Sequence, residues 1–104
     1  MSQNPDAGWS LEVYSEHDGA WIRQDLRASE ATIKAWTRYW WRHGLELRYT
    51  GYRLYDPLDR LAFVADMARA RHSSMRWLYA GFVPRAEVPD HIGREAAPVP
   101  RMTP

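Results

Sequence analysis

YRLYDPLDRLAFV, residues 52–64 (Tyr52 to Val64), decides the architecture, because it reads either as the start of a helix or as a hairpin. The helix reading has the stronger local signals. Asp56 suits an N-cap, Pro57 the first helical position, and Asp59 the positive end of the helix dipole. Continued to about Arg71, such a helix turns Leu58, Leu61, Ala62, Ala65 and Ala68 to one side. The alternative is two strands with a turn at Asp56 to Asp59. The capping signals favour the helix, which is the expectation carried forward.

Working outward, IKAWTRYWWRHG (Ile33 to Gly44) has the spacing of a helix with Ser29 as N-cap and Gly44 as its left-handed end. At 100° per residue, Ile33, Trp36, Trp40 and His43 share the face expected to be buried. Lys34, Arg38 and Arg42 share the opposite face, with Trp41 among them. WSLEVY (Trp9 to Tyr14) alternates in the manner of a half-buried strand, Asp18-Gly19 marks a turn, and AWIRQ returns antiparallel. LELRYTGYRLY predicts two short strands, Leu45 to Tyr49 and Tyr52 to Tyr55, joined at Thr50-Gly51, and MRWLY a last strand. The expected fold class is therefore α+β. It is a single small domain in the order β-β-α-β-β-α-β, with an antiparallel sheet, both helices on one face, and a Pro-rich tail. Residues 1–8 are expected to be a flexible N-terminus, 9–83 the domain, and 84–104 an extended or disordered tail.

The chain has 104 residues, which limits how much surface a core can bury, and its six Trp and six Tyr supply much of the area available. Without cysteine there is no disulfide or thiolate chemistry. No apolar run reaches the roughly 18 residues of a membrane span. A cytoplasmic protein without membrane partners is the expectation. Net charge is only +1, but its distribution is uneven. Residues 1–19 carry four acids and no Lys or Arg, whereas residues 20–76 carry eleven basic groups against six acidic ones.

No catalytic, cofactor or metal set emerges, so none is assigned. The four histidines are 26, 29 and 19 residues apart, never at the spacing that aims two imidazoles at one ion from a helix. PDHIG (Pro89 to Gly93) resembles the opening of the HNH nucleases, but the downstream Asn and His of that site are missing. Glu12 and Glu46 on one sheet face would make a carboxylate pair. Cross-strand ion pairs with Arg23, Arg48 or Arg53 are the favoured alternative.

What remains is binding. Phe63 and Met67 point away from the core stripe of the expected second helix, rimmed by Arg60 and Arg71. With exposed tyrosines Tyr52 and Tyr55 they form the expected protein-binding surface, for another protein or a second copy. A small non-catalytic binding protein follows, a regulator or inhibitor of the kind phages and mobile elements encode. The alternative partner is nucleic acid, held by Lys34, Arg38, Trp41 and Arg42 on the first helix with Arg48 and Arg53 on the sheet. A third reading places a small-ligand or enzymatic pocket among Trp36, Trp40 and Trp77.

Overall fold

The computed structural model describes residues 5–42, 48–66 and 76–94. These form a five-stranded antiparallel sheet and one α-helix. Strand β1 spans Ser10–Ser15, β2 Ala20–Arg23, β3 Tyr49–Tyr55, β4 Arg60–Asp66 and β5 Arg76–Pro84; helix α1 spans Glu30–Arg42. The order across the sheet is β2-β1-β3-β4-β5. Among the described residues no helix is long and apolar enough to cross a membrane.

The deciding stretch is a hairpin. Asp56 accepts the Asp59 N–H at its carbonyl (2.9 Å), and its Oδ1 accepts the N–H groups of Leu58 (3.0 Å) and Arg60 (2.8 Å). Asp59 adopts the left-handed conformation at φ 65°, and the Asp56 N–H closes the loop on the Arg60 carbonyl. This is the three-residue hairpin loop made of a type I turn and a left-handed residue. An Asp-Pro pair opens such a turn as readily as a helix, since both need the same φ at Pro and the same side-chain acceptor before it. The expected second helix is thus corrected over residues 56–66, where the chain returns as β4; its continuation to Arg71 lies outside the described residues.

Thr50-Gly51 is not a turn either. It runs inside β3, because Gly51 is needed for close approach. A Cβ there would stand 2.9 Å from Trp21 Cη2 and 3.1 Å from the Gly93 carbonyl oxygen. The expected strand from Leu45 reaches the described residues only at its end.

Helix α1 starts as its sequence predicts: the Ser29 hydroxyl accepts the Thr32 N–H (3.1 Å). Its buried face, however, is turned by roughly 60° from the expected one. Ile33 and Thr37 are buried, and Trp40 and Trp41 pack against the core of Leu11, Val13, Tyr52, Leu54 and Ala65. Trp36 is 38% exposed. Thr37 tolerates burial because its hydroxyl donates to the Ile33 carbonyl (2.9 Å). His43 and Gly44 lie outside the described residues.

All six residues of β1 are buried, not the alternate three that a half-buried strand shows. One face lies under α1. The other lies under residues 85–94, a short 3-10 turn (Arg85–Glu87) followed by two tight turns that lead back across the sheet.

The helix phase is testable by denaturant unfolding. Ile33→Ala should cost about 2–5 kcal/mol, and Trp36→Ala about 1 kcal/mol or less. The reverse ranking would restore the face read from the periodicity.

Candidate functional site

Two arrangements stand out, one closed and one open. The closed one is centred on Glu12. Register places Glu12 opposite both Arg23 and Arg53, on the sheet face away from the helix. Its Oε1 accepts from Arg53 (3.0 Å) and the Tyr55 hydroxyl (2.6 Å), and its Oε2 from Arg85 (2.7 Å). Arg53 donates three further N–H groups to the carbonyls of Ile92 (2.9 Å), Pro89 (2.7 Å) and Asp90 (3.0 Å). Its guanidinium lies 3.7 Å from the centre of the Trp21 ring, and Trp21 Nε1 donates to the Asp90 carbonyl (2.7 Å). Gly93, at φ 94°, passes over that indole where a Cβ would meet Cη2 at 2.7 Å.

Burial by itself would raise the Glu12 carboxyl. The hydrogen bonds from Tyr55, Arg53 and Arg85, with the Arg85 charge, outweigh it and hold the group below its ordinary 4.5. Burial, and then the Glu12 hydrogen bond, push the Tyr55 hydroxyl up to about 12. Both carboxylate oxygens are engaged by donors, so the chemistry of this cluster is that of a fastening. It ties residues 85–94 to the sheet.

The open arrangement lies at the β4–β5 side. Phe63 sits between Trp9 (ring centroids 6.4 Å) and Tyr79 (5.8 Å), and Tyr79 meets Phe82 edge-on at 5.5 Å. Lys34 Nζ stands 3.8 Å from the Phe63 ring centre, and the Arg60 guanidinium 4.8 Å from that of Phe82. Tyr79 is 64% exposed, Leu78 41% and Phe82 37%. A wide bulge shapes this ridge: between the pairs Phe63↔Tyr79 and Leu61↔Val83, β4 has Ala62 alone and β5 has Ala80, Gly81 and Phe82. Gly81 (φ 90°) and Phe82 (φ 59°) both take left-handed geometry, which is rare for an aromatic residue.

Of the residues expected to bind protein, Phe63 and Arg60 belong to this ridge, on a strand and not on a helix. Arg60 is tied by two N–H groups to Asp56 Oδ2 (2.9 and 2.6 Å). Met67 and Arg71 lie outside the described residues. Tyr52 and Tyr55, expected to be exposed, are both 0% exposed. They occupy opposite faces of β3, each covered, and the Tyr52 hydroxyl has no hydrogen-bond partner among the described residues.

The basic stripe is dispersed. Lys34 is half-buried and pairs with Glu30 (2.8 Å), Trp41 packs against the core, and Arg53 is buried in the Glu12 cluster. Arg38, Arg42 and Arg48 are exposed, Arg48 at φ 56°. Trp36, Trp40 and Trp77 do not line one buried site, since Trp36 faces out. Leu78, Tyr79 and Phe82 escaped the sequence reading. RWLYAGFVP looks like an interior strand, and only its place at the end of the sheet leaves it uncovered among the described residues. No family model, curated protein or solved structure matches the chain.

Arg53→Met leaves the Glu12 carboxylate buried with less compensation, and should cost about 3–5 kcal/mol. Limited proteolysis should then cut within residues 85–94 faster than in the wild type. The pH dependence has a defined sign. The contribution of Glu12 is fully present above pH 4.5 and is lost as pH falls through its lowered folded value. That of Tyr55 is fully present below pH 10 and is lost as pH rises toward about 12. Urea unfolding at a series of pH values should show a flatter acid limb in Glu12→Gln than in the wild type.

Proposed function

We propose that the chain is a small non-catalytic binding protein that works through protein–protein contact, and that its contact surface is the ridge of Phe63, Tyr79 and Phe82 with Leu78 beside it. The observation that carries this reading is the exposure of Leu78, Tyr79 and Phe82 along one sheet edge, with the partly buried Phe63 packed beside them. Soluble proteins seldom leave such a group uncovered without a use for it. Tyrosine and phenylalanine are also residue types that concentrate interface energy. The rim supplies charge: Lys34 and Arg60 each stand over a ridge ring. The Glu12 cluster has no part in recognition here; it keeps the scaffold rigid, which lowers the ordering cost of binding.

The test is capture of partners by the immobilised full chain from lysate of the native host, with and without nuclease. Captured protein should survive both nuclease and 0.5 M salt, an ionic strength at which contacts dominated by phosphate lose orders of magnitude in affinity. Tyr79→Glu combined with Phe82→Glu should abolish capture while leaving the circular dichroism spectrum unchanged. Capture of nucleic acid, or capture indifferent to both substitutions, would refute the reading.

A further inference from the structure

We propose that β5 pairs with β5 of a second copy, antiparallel about a two-fold axis beside Leu78, joining the two sheets into one. The proposal rests on reading the β5 side as a protein-binding surface and names the partner.

Among the described residues β5 is bonded to β4 on one side only. An edge strand offers a row of main-chain donors and acceptors, and the occupant that satisfies them is another extended strand. Exposure on both faces points the same way. Tyr79 (64% exposed) stands on the helix side of the sheet and Leu78 (41% exposed) on the other. A partner lying on one face would leave one of them wet, whereas a strand added at the edge brings side chains beside both.

The pattern of β5 selects its own copy. The bulge at Gly81 and Phe82 ends the regular edge, so the straight part among the described residues is 76–80, with Leu78 at the centre of that run. Paired antiparallel about that centre, residues equally distant from Leu78 face one another. Leu78 meets Leu78 of the second copy, and Trp77 meets Tyr79 of the second copy on the helix side. The Phe63–Tyr79 ring contact (5.8 Å) then continues across the axis as aromatic cross-strand pairs.

Charge permits this register. Each Arg76 lies opposite an alanine, and the two are separated by four residues of strand, about 14 Å. That exceeds the screening length of about 8–10 Å. The chain's net charge of +1 adds little repulsion. Closure is also accounted for. The sheet's other edge, β2, has four residues, so the two-fold pair consumes the long edge and does not propagate.

The test is sedimentation equilibrium of the full chain from about 1 to 200 µM, the range in which modest interfaces dissociate. The wild type should show a monomer–dimer equilibrium. Leu78→Lys places two ammonium groups face to face at the axis, and should raise the dissociation constant roughly a hundredfold or more. Leu58→Lys, on the exposed β3–β4 turn, should not change it. Mixing Leu78→Lys with Leu78→Glu should restore association, because only a residue at the axis meets itself. A wild type that stays monomeric throughout, an undiminished Leu78→Lys dimer, or a mixture that fails to associate would each overturn the proposal. A monomeric wild type whose host capture is still abolished by the Tyr79 and Phe82 substitutions would refute the dimer alone and leave the binding surface standing.

Discussion

The buried contact between Glu12 and Arg53 holds this domain together on the side the helix does not cover. A domain of 104 residues with one described helix has material to shield only one face of its sheet with packed secondary structure. The other face carries a carboxylate, an arginine and a tyrosine at the centre of the sheet, where none is tolerable alone. Their mutual bonds compensate one another, and three more N–H groups of Arg53 reach backbone carbonyls of the returning chain. One guanidinium thus joins β1, β3 and residues 85–94. The cost of burying charge is offset by three donors on one carboxylate and by the Trp21 ring against the cation.

Apart from Trp36 and Tyr39 on α1, the exposed large rings of the described residues, Tyr79 and Phe82, stand on the β4–β5 side. Helix α1 lies over β1 and β3, and reaches β4 through Lys34 above Phe63. Residues 85–94 cover the opposite face near β1, β2 and β3. Tyr79 and Phe82 lie beyond the reach of either cover. The left-handed geometry of Phe82, which Gly81 before it shares at no cost, is a local strain of the kind that persists when neighbouring contacts over-determine it. Here those contacts are the Tyr79 ring and the Arg60 guanidinium.

Much of the local structure was legible. Alternation identified β1, Asp18-Gly19 its turn, and Ser29 the start of α1, because these depend on neighbours in the chain. Phe63 and Arg60 stand on the ridge although residues 56–66, where the periodicity predicts a helix, form a turn and strand β4. The burial of Tyr52 and Tyr55 cannot be read from their spacing because both faces of β3 are covered, one by a helix and one by a segment whose bonds to Arg53 span 36 to 39 residues of sequence. Trp41 was misread because a helix wheel shows which residues share a face but not which face meets the sheet; Thr37, by back-bonding to Ile33, made a polar position buriable.

What the sequence by itself determined is an aromatic-rich α+β domain, a capped amphipathic helix, a strand of alternating residues at its start, and the absence of a cysteine framework. The tertiary structure alone decided that Asp56-Pro57 opens a hairpin and not a helix, that Glu12 finds Arg85, and that β5 lies at an edge. The physical reason is common to all three. An Asp-Pro turn, a buried ion pair and an edge strand depend on what lies opposite in space, and a local pattern carries no record of that.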